Sequence, residues 1–339
     1  MITIRDVAKR AGVSTATVSN ALNVAHNVGA ETRARVLEAA KDLGYVPNLN
    51  ARLMKTRKTN NLGLFLPNIH SDFYTRLAQA MYRHCSEAGY AMLMHISDSY
   101  PSQRLAQVIL SSNIDGAVIL NEHLEDSHVD LLRRKRVPFV FLDKPVTGDL
   151  LSSVLVDNRM GIFQRVQYLV HTGHKRIAYL GGTNNFDSKE RRQAFADAMS
   201  HYRQPLFTDL LMQGWFEEKA AYGVVRCKLM ELNDKQLPDA IFCANDEMAV
   251  GCIKALNDSR MSVPDQVSVL GFDDWEAATS AVPQLTTIHN SLGEMGRLAI
   301  LELLRLLEGG GEGESVRIPT RLVVRSSCAV RFAGGKEQS

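Results

Sequence analysis

The stretch that decides the fold stands at residues 2–23 and reads ITIRDVAKRAGVSTATVSNALN. Its apolar spacing predicts two short helices, over residues 3–11 and 15–23. Gly12 allows the left-handed turn between them, and Val18 returns to the small core. Two helices that cross through so short a turn form a helix-turn-helix, whose second helix enters the major groove of DNA.

Charge is distributed unevenly along the chain. The 339 residues include 39 Lys and Arg against 37 Asp and Glu, so the net charge is only +2. Residues 1–60 hold ten basic and four acidic residues, whereas the remainder holds 29 basic and 33 acidic ones. A basic segment on a mildly acidic body indicates a module that binds a polyanion, joined to a body that does not.

The outward side chains of the second helix are the candidates for reading bases, namely Thr15, Ala16, Thr17 and Asn20. Asn20 can pair with adenine through two hydrogen bonds, and Ala16 offers a methyl contact, for example to thymine. Hydrogen-bonding side chains suited to phosphate contacts are Ser14, Thr17 and Asn23. The alternative is a small three-helix bundle that binds no nucleic acid, and the basic charge argues against it.

The hydrophobic pattern of the sequence changes from about residue 61. Short apolar runs, typical of strands buried on both faces, alternate with amphipathic helical stretches. The runs are 62–66, 91–96, 115–120, 137–142, 176–181, 239–243 and 266–272. The pattern predicts parallel sheets covered by helices, and the length suits two such sheets.

Several classes of protein are excluded by missing motifs. The five cysteines are scattered without a C-x-x-C pair, which favours reduced thiols over disulfides or a zinc site. No apolar stretch reaches about 18 residues and no signal peptide is present, so we expect a cytoplasmic protein. His171 and His174 flank Gly173 at a helix end and are interpreted as a cap rather than a metal site.

Motifs of an enzyme are missing as well. The sequence has no G-x-G-x-x-G after a strand, no phosphate-binding G-x-x-x-x-G-K-[ST] and no G-x-S-x-G nucleophile. The glycine-rich run 309–315 follows a helix and is interpreted as a loop. We therefore predict no catalytic residues, no cofactor and no metal.

Residues 2–23, together with ETRARVLEAAKDLGYVPNLNARLMK at 31–55, resemble the lac repressor/gal repressor (LacI/GalR) family of bacterial transcription regulators. The resemblance implies that Thr15, Ala16 and Asn20 read bases, and that Asn23 and Tyr45 help to hold the DNA backbone. It also implies a hinge helix that orders on operator DNA and wedges a side chain into the minor groove. Met54 stands at the wedge position, with neighbours Ala51, Arg52 and Lys55. The alternative is a basic linker.

The resemblance continues to about residue 332 and implies the fold class. This is a small all-α helix-turn-helix domain plus an α/β two-lobed periplasmic-binding-protein-like domain, with two parallel sheets and three crossovers. The predicted boundaries are 1–46 for the DNA-binding domain, 47–60 for the hinge and 61–333 for the effector-binding and dimerisation domain. Within the last, the N-subdomain takes about 61–157 and 291–319, the C-subdomain about 158–290 and 320–333. Residues 334–339 are predicted to be a disordered tail.

An effector site follows from the same resemblance. Asp143 ends a predicted strand, where ligands bind in open α/β sheets, and Arg191 lies in a segment in which Ala194 replaces the usual glycine. The predicted effector-binding residues are Asp72, Phe73, Tyr74, Asp143, Arg191, Phe216, Asn245 and Asp273. Carboxylates, an amide and a planar guanidinium beside aromatic faces suit a small polar ligand.

The sequence therefore predicts a homodimeric DNA-binding repressor of a carbohydrate-utilisation operon, which binds a pseudo-palindromic operator and a sugar or sugar derivative. The alternative is the same regulator with a nucleoside or purine-type effector or corepressor. A solute-binding protein and an enzyme are the least favoured interpretations. The sequence does not fix whether the effector induces or corepresses, and induction is preferred for a sugar.

Overall fold

The computed structural model describes residues 2–22, 28–45, 58–70, 72–97, 100–121, 124–309 and 311–331, without the side chain of Asp72. The chain divides into two units, residues 1–59 and 60–339. Asn23, the hinge residues Ala51, Met54 and Lys55, and the tail 334–339 lie outside the described residues.

The described part of the first unit contains three helices: α1 at Ile4–Ala11, α2 at Thr15–Leu22 and α3 at Ala30–Asp42. Thr3 is the N-cap of α1, and its backbone N–H donates to the Asp6 carboxylate at 2.8 Å. Gly12 ends α1 with φ 68°, the left-handed conformation that glycine adopts without strain. The predicted helix-turn-helix is therefore present.

A small apolar core holds these three helices together. Val7, Val18 and Val36, one from each helix, are all fully buried. Small residues surround them, among them Ala21 and Ala40. Removing these side chains from water is what fixes the angle between α1 and α2, since each helix alone is too short to be stable.

The second unit begins with a parallel sheet of six strands in the order β11-β5-β4-β3-β1-β2. Its strands are β1 (Asn61–Leu66), β2 (Ala91–Ile96), β3 (Gly116–Ile119), β4 (Phe139–Leu142), β5 (Leu151–Val156) and β11 (Ser315–Ile318). The accompanying helices are α4 (Asp72–Glu87), α5 (Ser102–Ser111), α6 (Asp126–Arg134) and α12 (Leu292–Leu307). We call this sheet and its helices the N-lobe.

A second parallel sheet has four strands in the order β7-β6-β8-β9. These strands are β6 (Ile177–Gly181), β7 (Leu211–Gln213), β8 (Ala240–Cys243) and β9 (Ser268–Leu270). The helices are α7 (Asn158–His171), α8 (Phe186–His201), α9 (Glu218–Glu231), α10 (Asp246–Asp258) and α11 (Glu276–Ser280), with a 3-10 turn at Thr208–Leu210. We call this sheet and its helices the C-lobe.

The chain passes between the two lobes three times. It leaves β5 of the N-lobe for α7, returns through β10 (Thr287–His289) into α12, and leaves β11 again for β12 (Arg321–Val323). Strands β10 and β12 pair with each other in antiparallel fashion. The two-lobed α/β fold with parallel sheets and three crossovers is therefore as predicted.

Candidate DNA-recognition helix and effector cleft

One face of α2 is free to meet DNA, because the opposite face is used by the core. Val18 and Ala21 are buried, while Thr15, Ala16 and Asn20 are exposed. The two most specific predicted base contacts, those of Ala16 and Asn20, are thus on the accessible side of the helix.

One of the predicted phosphate-contacting side chains, that of Ser14, also serves as a helix cap. The Ser14 hydroxyl accepts from the Thr17 backbone N–H at 3.1 Å and lies 2.9 Å from the Thr17 hydroxyl. This interaction satisfies an N–H group of the first turn of α2 and fixes where the helix begins. Tyr45 is half-buried against the helical core, and its N–H donates to the Ala40 carbonyl at 2.8 Å.

In the second unit, the cleft between the lobes brings together three carboxyl groups that are distant in sequence. Asp143 follows β4 of the N-lobe with φ 57°, and its carboxyl is within hydrogen-bonding reach of Asp187 on α8 of the C-lobe. Asp273 follows β9 with φ 115°, and its N–H donates to the Ile288 carbonyl at 2.8 Å. Asp187 and Asp273 are both buried.

Arg191 is the cation at the centre of this cluster. It lies on α8 one turn after Asp187, with 3.6 Å between the Arg191 Nη2 and an Asp187 oxygen and 4.0 Å to an Asp273 oxygen. Its Nε donates to Asn158 Oδ1 at 2.7 Å and its Nη1 to the Ala244 carbonyl at 2.6 Å. The buried guanidinium is therefore fixed in orientation before any ligand arrives.

Two of these carboxyl groups are hard to ionise. Burial, followed by the charges of neighbouring carboxylates, raises the pKa of Asp143 well above its ordinary value, although Arg191 acts in the opposite direction. Burial likewise raises the pKa of Asp273, again against Arg191. Burial and neighbouring carboxylates therefore act against the ionised forms of Asp143 and Asp273, and the Arg191 guanidinium acts in their favour.

Aromatic and ionic contacts join the lobes at the edge of the cleft. Phe73, near the start of α4, stacks on Trp275 with ring centroids 5.4 Å apart and an interplanar angle of 28°. Arg76 forms an ion pair of 2.9 Å with Glu276. Tyr74 lies edge-on to Phe73, with 5.1 Å between the ring centroids. These contacts hold the two lobes together across the cleft in this structure.

Phe216 and Asn245 both lie beyond the carboxyl ends of C-lobe strands, Phe216 after β7 and Asn245 after β8. The Phe216 ring lies directly over Gly182, where any side chain would collide with it. The Asn245 oxygen accepts from the Met248 N–H at 2.9 Å and so caps α10, and its amide donates to the Phe216 carbonyl at 3.2 Å. Asn245 therefore orients Phe216, a role that its position in the sequence did not indicate.

Several residues at the site were missed by sequence reasoning. The side chains of Asn158, Asp187, Trp275 and Asn290 all contact the predicted set. The only local signal was Asp187, which stands four residues before Arg191 and therefore on the same helix face. Asn158 lies 33 residues before Arg191, Asn290 lies 17 residues after Asp273, and Trp275 comes from a segment distant from Phe73, so no local pattern shows these contacts.

No group of three or more potential metal ligands occurs within the part of the chain that the structure describes. His174 is buried, with its Nε2 2.8 Å from the Ser268 hydroxyl and its Nδ1 3.0 Å from the Thr172 hydroxyl. It follows the end of α7 and connects it to β9, which is a structural use of the histidine.

Comparison with known proteins agrees with this geometry. Residues 3–48 match the family described as bacterial regulatory proteins, lacI family, and residues 166–328 match a periplasmic binding protein-like domain. An HTH-type transcriptional repressor PurR of Mannheimia succiniciproducens is 32% identical over 334 residues, which cover 96% of this chain and 98% of the relative. The chain belongs to the lacI family.

Other relatives of this lacI-family chain lead to the same conclusion. The PurR repressor of Pasteurella multocida is 30% identical over 98% of the chain and 100% of its own length. A solved structure of the lac repressor dimer, bound to operator and the anti-inducer ONPF, superposes with a TM-score of 0.86 at 25% identity, covering 97% of this chain and 99% of that one. A complex of the transcriptional regulator CelR with cellobiose has a TM-score of 0.73 at 29% identity, over 96% and 100% of the chains.

Membership of the lacI family confirms that the chain is a DNA-binding transcriptional repressor with a small-molecule effector, and that it is not an enzyme. Among the described residues, no helix is long and apolar enough to cross a membrane.

Proposed function

We propose that this repressor is controlled by a purine-type small molecule, bound in the cleft around Arg191 and Asp273. The observation that carries the proposal is the identity to full-length relatives named PurR, for purine-responsive repression, at 32% over 96% of the chain. These relatives favour the purine alternative over the carbohydrate effector that the sequence first suggested.

The chemistry of the cleft supports a planar, hydrogen-bonding ligand. Phe73 and Trp275 already stack on each other across the cleft, and Phe216 offers a third aromatic surface. Asp273 accepts hydrogen bonds and Arg191 donates them, so both edges of a heterocycle can be recognised. Aromatic faces above and below with polar groups at the rim are typical of sites for flat ligands.

A sugar is the second candidate, since the similar regulator CelR was solved with cellobiose. Hydroxyl groups would bind the same carboxylates, and Phe216 would lie against the ring. The two candidates differ in the number of N–H donors and in ring planarity, so one ligand panel distinguishes them.

The repressor acts as a homodimer on a pseudo-palindromic operator in this proposal. Strand β2 is at the edge of the N-lobe sheet, and its apolar side chains Leu93, Met94 and Ile96 are exposed. Tyr82 on the preceding helix is exposed as well. A second copy that covers this edge would remove an apolar strand edge from water and place two α2 helices on one DNA.

In the same proposal, residues 47–60 act as a hinge that orders on the operator, where Met54 enters the minor groove beside Ala51 and Lys55. Asn23 and Tyr45 contact the DNA backbone. Effector in the cleft changes the relative position of the lobes, and through the hinge it changes the affinity for operator. The protein works in the cytoplasm, where both DNA and purines are present.

The test is operator affinity by fluorescence anisotropy, with a duplex obtained by binding selection. It is measured without ligand and then with adenine, guanine, hypoxanthine, glucose and cellobiose. The proposal expects a purine to change the dissociation constant about 5- to 150-fold, the usual range of allosteric coupling. A change with a sugar and with none of the purines would show that the second candidate is correct.

A further inference from the structure

Hydrogen-bond acceptors exceed donors in the cleft of this repressor. The described donors to the three carboxyl groups are few: Asn158 donates to Asp187 at 2.7 Å, and Asn290 donates to Asp273 at 3.1 Å. Arg191 contributes only ion-pair contacts of 3.6 and 4.0 Å, because its Nε and Nη1 are occupied by Asn158 and Ala244. Each carboxylate can accept about four hydrogen bonds, so much of this capacity is unused.

Asn290 provides an independent sign that a donor is missing. The residue is 4% exposed, and its amide nitrogen is held on Asp273. Its Oδ1 atom is buried without a hydrogen-bond partner. A buried carbonyl oxygen without a donor is costly, and an N–H group of a ligand is a donor that would satisfy it. This acceptor is on the same carboxamide that touches the carboxyl cluster.

The charge of the cluster favours the same kind of ligand. Asp187 and Asp273 lie 3.6 and 4.0 Å from Arg191 and are buried with it, and the half-buried Asp143 lies beside Asp187. A ligand group that is positive, or that carries only N–H donors, satisfies these acceptors. A ligand carbonyl would add one more acceptor, and a hydroxyl supplies one donor but two further lone pairs.

We propose that the effector presents an amino group to the acceptor cluster formed by Asp143, Asp187, Asp273 and Asn290. The inference rests on the proposed function, since it concerns the same cleft, but it selects among ligands that the function leaves open. Within purines it selects an amino-substituted ring, and within sugars it selects an amino sugar. The amino group bridges Asp143 of the N-lobe and Asp187 of the C-lobe, so it stabilises the closed cleft.

The first experiment compares ligand pairs that differ at one position, by titration calorimetry on the full-length protein. Adenine is paired with hypoxanthine, in which oxygen replaces the amino group, and glucosamine is paired with glucose. In the pair that binds, the amino member should bind about tenfold or more tightly. A hydrogen bond to a charged acceptor changes a dissociation constant by about that factor.

Substitutions in the carboxyl cluster test which residues cause the preference for the amino ligand. Asp187→Asn and Asp143→Asn replace an acceptor oxygen by an N–H donor, so each should reduce the preference for the amino member by about tenfold. Asp197→Asn is the matched control, because Asp197 lies on the same helix α8 and forms an ion pair with Arg159 outside the cluster. This control should keep the preference, and thermal unfolding of each variant checks that it is folded.

Three results have distinct meanings. Tight binding of hypoxanthine, equal to adenine, would overturn the amino-group inference and leave the purine effector standing. Binding of glucosamine with no binding of any purine would support the inference and refute the purine effector. Failure of both amino compounds to bind, or an undiminished preference in Asp187→Asn and Asp143→Asn, would overturn the inference.

Discussion

At the scale of single residues, Arg191 illustrates how a charged side chain is placed for recognition. Its guanidinium lies 3.8 Å from the centre of the Phe272 ring, and three of its neighbours are a backbone carbonyl, an amide and a carboxylate. The planar guanidinium, with N–H donors in fixed directions, reaches all of them together. An ammonium group cannot do so.

Replacement of Arg191 by Lys should therefore weaken the binding of effector about 10- to 100-fold, because the fixed donor geometry is lost. The measurement is titration calorimetry with the ligand that binds the wild-type protein best. Arg159→Lys is the control, since Arg159 is an exposed arginine that pairs with Asp197. Equal affinities of the Arg191→Lys and wild-type proteins would contradict the role of Arg191.

Asn20 is the residue from which we expect the clearest sequence preference. It is exposed on α2, and Asn20→Ala removes both hydrogen bonds that it can make to one adenine. Selection of bound sequences should show relaxed preference at one position of each half-site, at a cost of about 1–3 kcal/mol for the preferred base.

A control variant for this selection is Glu38→Ala, which changes an exposed residue of α3. The control should leave the preferred sequence unchanged. If Asn20→Ala also leaves it unchanged at every position, Asn20 does not read a base.

At the scale of secondary-structure elements, the apolar runs predicted most long strands but not all. Strand β5 was missed because it contains two adjacent serines in a fully buried strand. Ser152 donates to Glu302 Oε1 at 2.6 Å, and the Ser153 hydroxyl accepts from the Val146 N–H at 2.7 Å. The partner of Ser152 is 150 residues away and that of Ser153 is seven residues away in the preceding loop, and neither contact can be read from the apolar pattern of the strand.

The residues of the site, like the strands, could be predicted only in part. Asp143 and Asp273 lie beyond the carboxyl ends of strands, and ligands bind at such ends in open α/β sheets. The structure brings both residues to one cleft with Arg191. Asn290 and Trp275 belong to connections near the crossovers. Their place depends on how the two sheets meet, which neither propensity nor periodicity determines.

The contact between helices α9 and α10 gives a prediction about stability. Gly251 on α10 is so close to α9 that an added Cβ would overlap the Glu218 carbonyl oxygen. Gly251→Ala should therefore lower the free energy of unfolding by about 1–3 kcal/mol through overpacking. Thermal or denaturant unfolding measures the change.

Gly223 on α9 is the matched control, because an added Cβ there meets no atom within 4 Å. Gly223→Ala should leave the stability unchanged or raise it by up to about 1 kcal/mol, since alanine favours helix over glycine. If the two alanine variants were equally stable, α9 and α10 would not be packed as closely as described.

At the scale of the whole molecule, buried carboxyl groups should make stability depend on pH. Burial raises the pKa of Asp246 to about 7, from an ordinary 3.8. It is fully buried, and it accepts from the Thr287 hydroxyl at 2.6 Å and from the Trp275 N–H at 3.0 Å. In the window between these two values the folded protein binds more protons than the unfolded chain.

The unfolding free energy should therefore decrease as the pH rises toward and through about 7, and the melting temperature should be lower at pH 8 than at pH 6. Asp246→Asn removes one of the carboxyl groups with a raised pKa and should reduce this dependence. Asp258→Asn, at the exposed end of the same helix, should retain it. A wild-type melting temperature that rises from pH 6 to pH 8 would contradict the buried-acid account.

The two units divide the work between DNA and effector. The net positive charge lies in the first 60 residues, which include the helix-turn-helix, and the mildly acidic remainder holds the carboxyl-rich cleft. Occupation of this cleft should therefore change the affinity of the helix-turn-helix for operator.

The most direct test is the operator dissociation constant of the wild-type and Arg191→Lys proteins, measured by fluorescence anisotropy with and without a saturating purine. We expect the purine to change the wild-type constant about 5- to 150-fold, and we expect little change in the variant at the same purine concentration. A wild-type operator affinity that no purine changes, or an undiminished response in Arg191→Lys, would contradict the account.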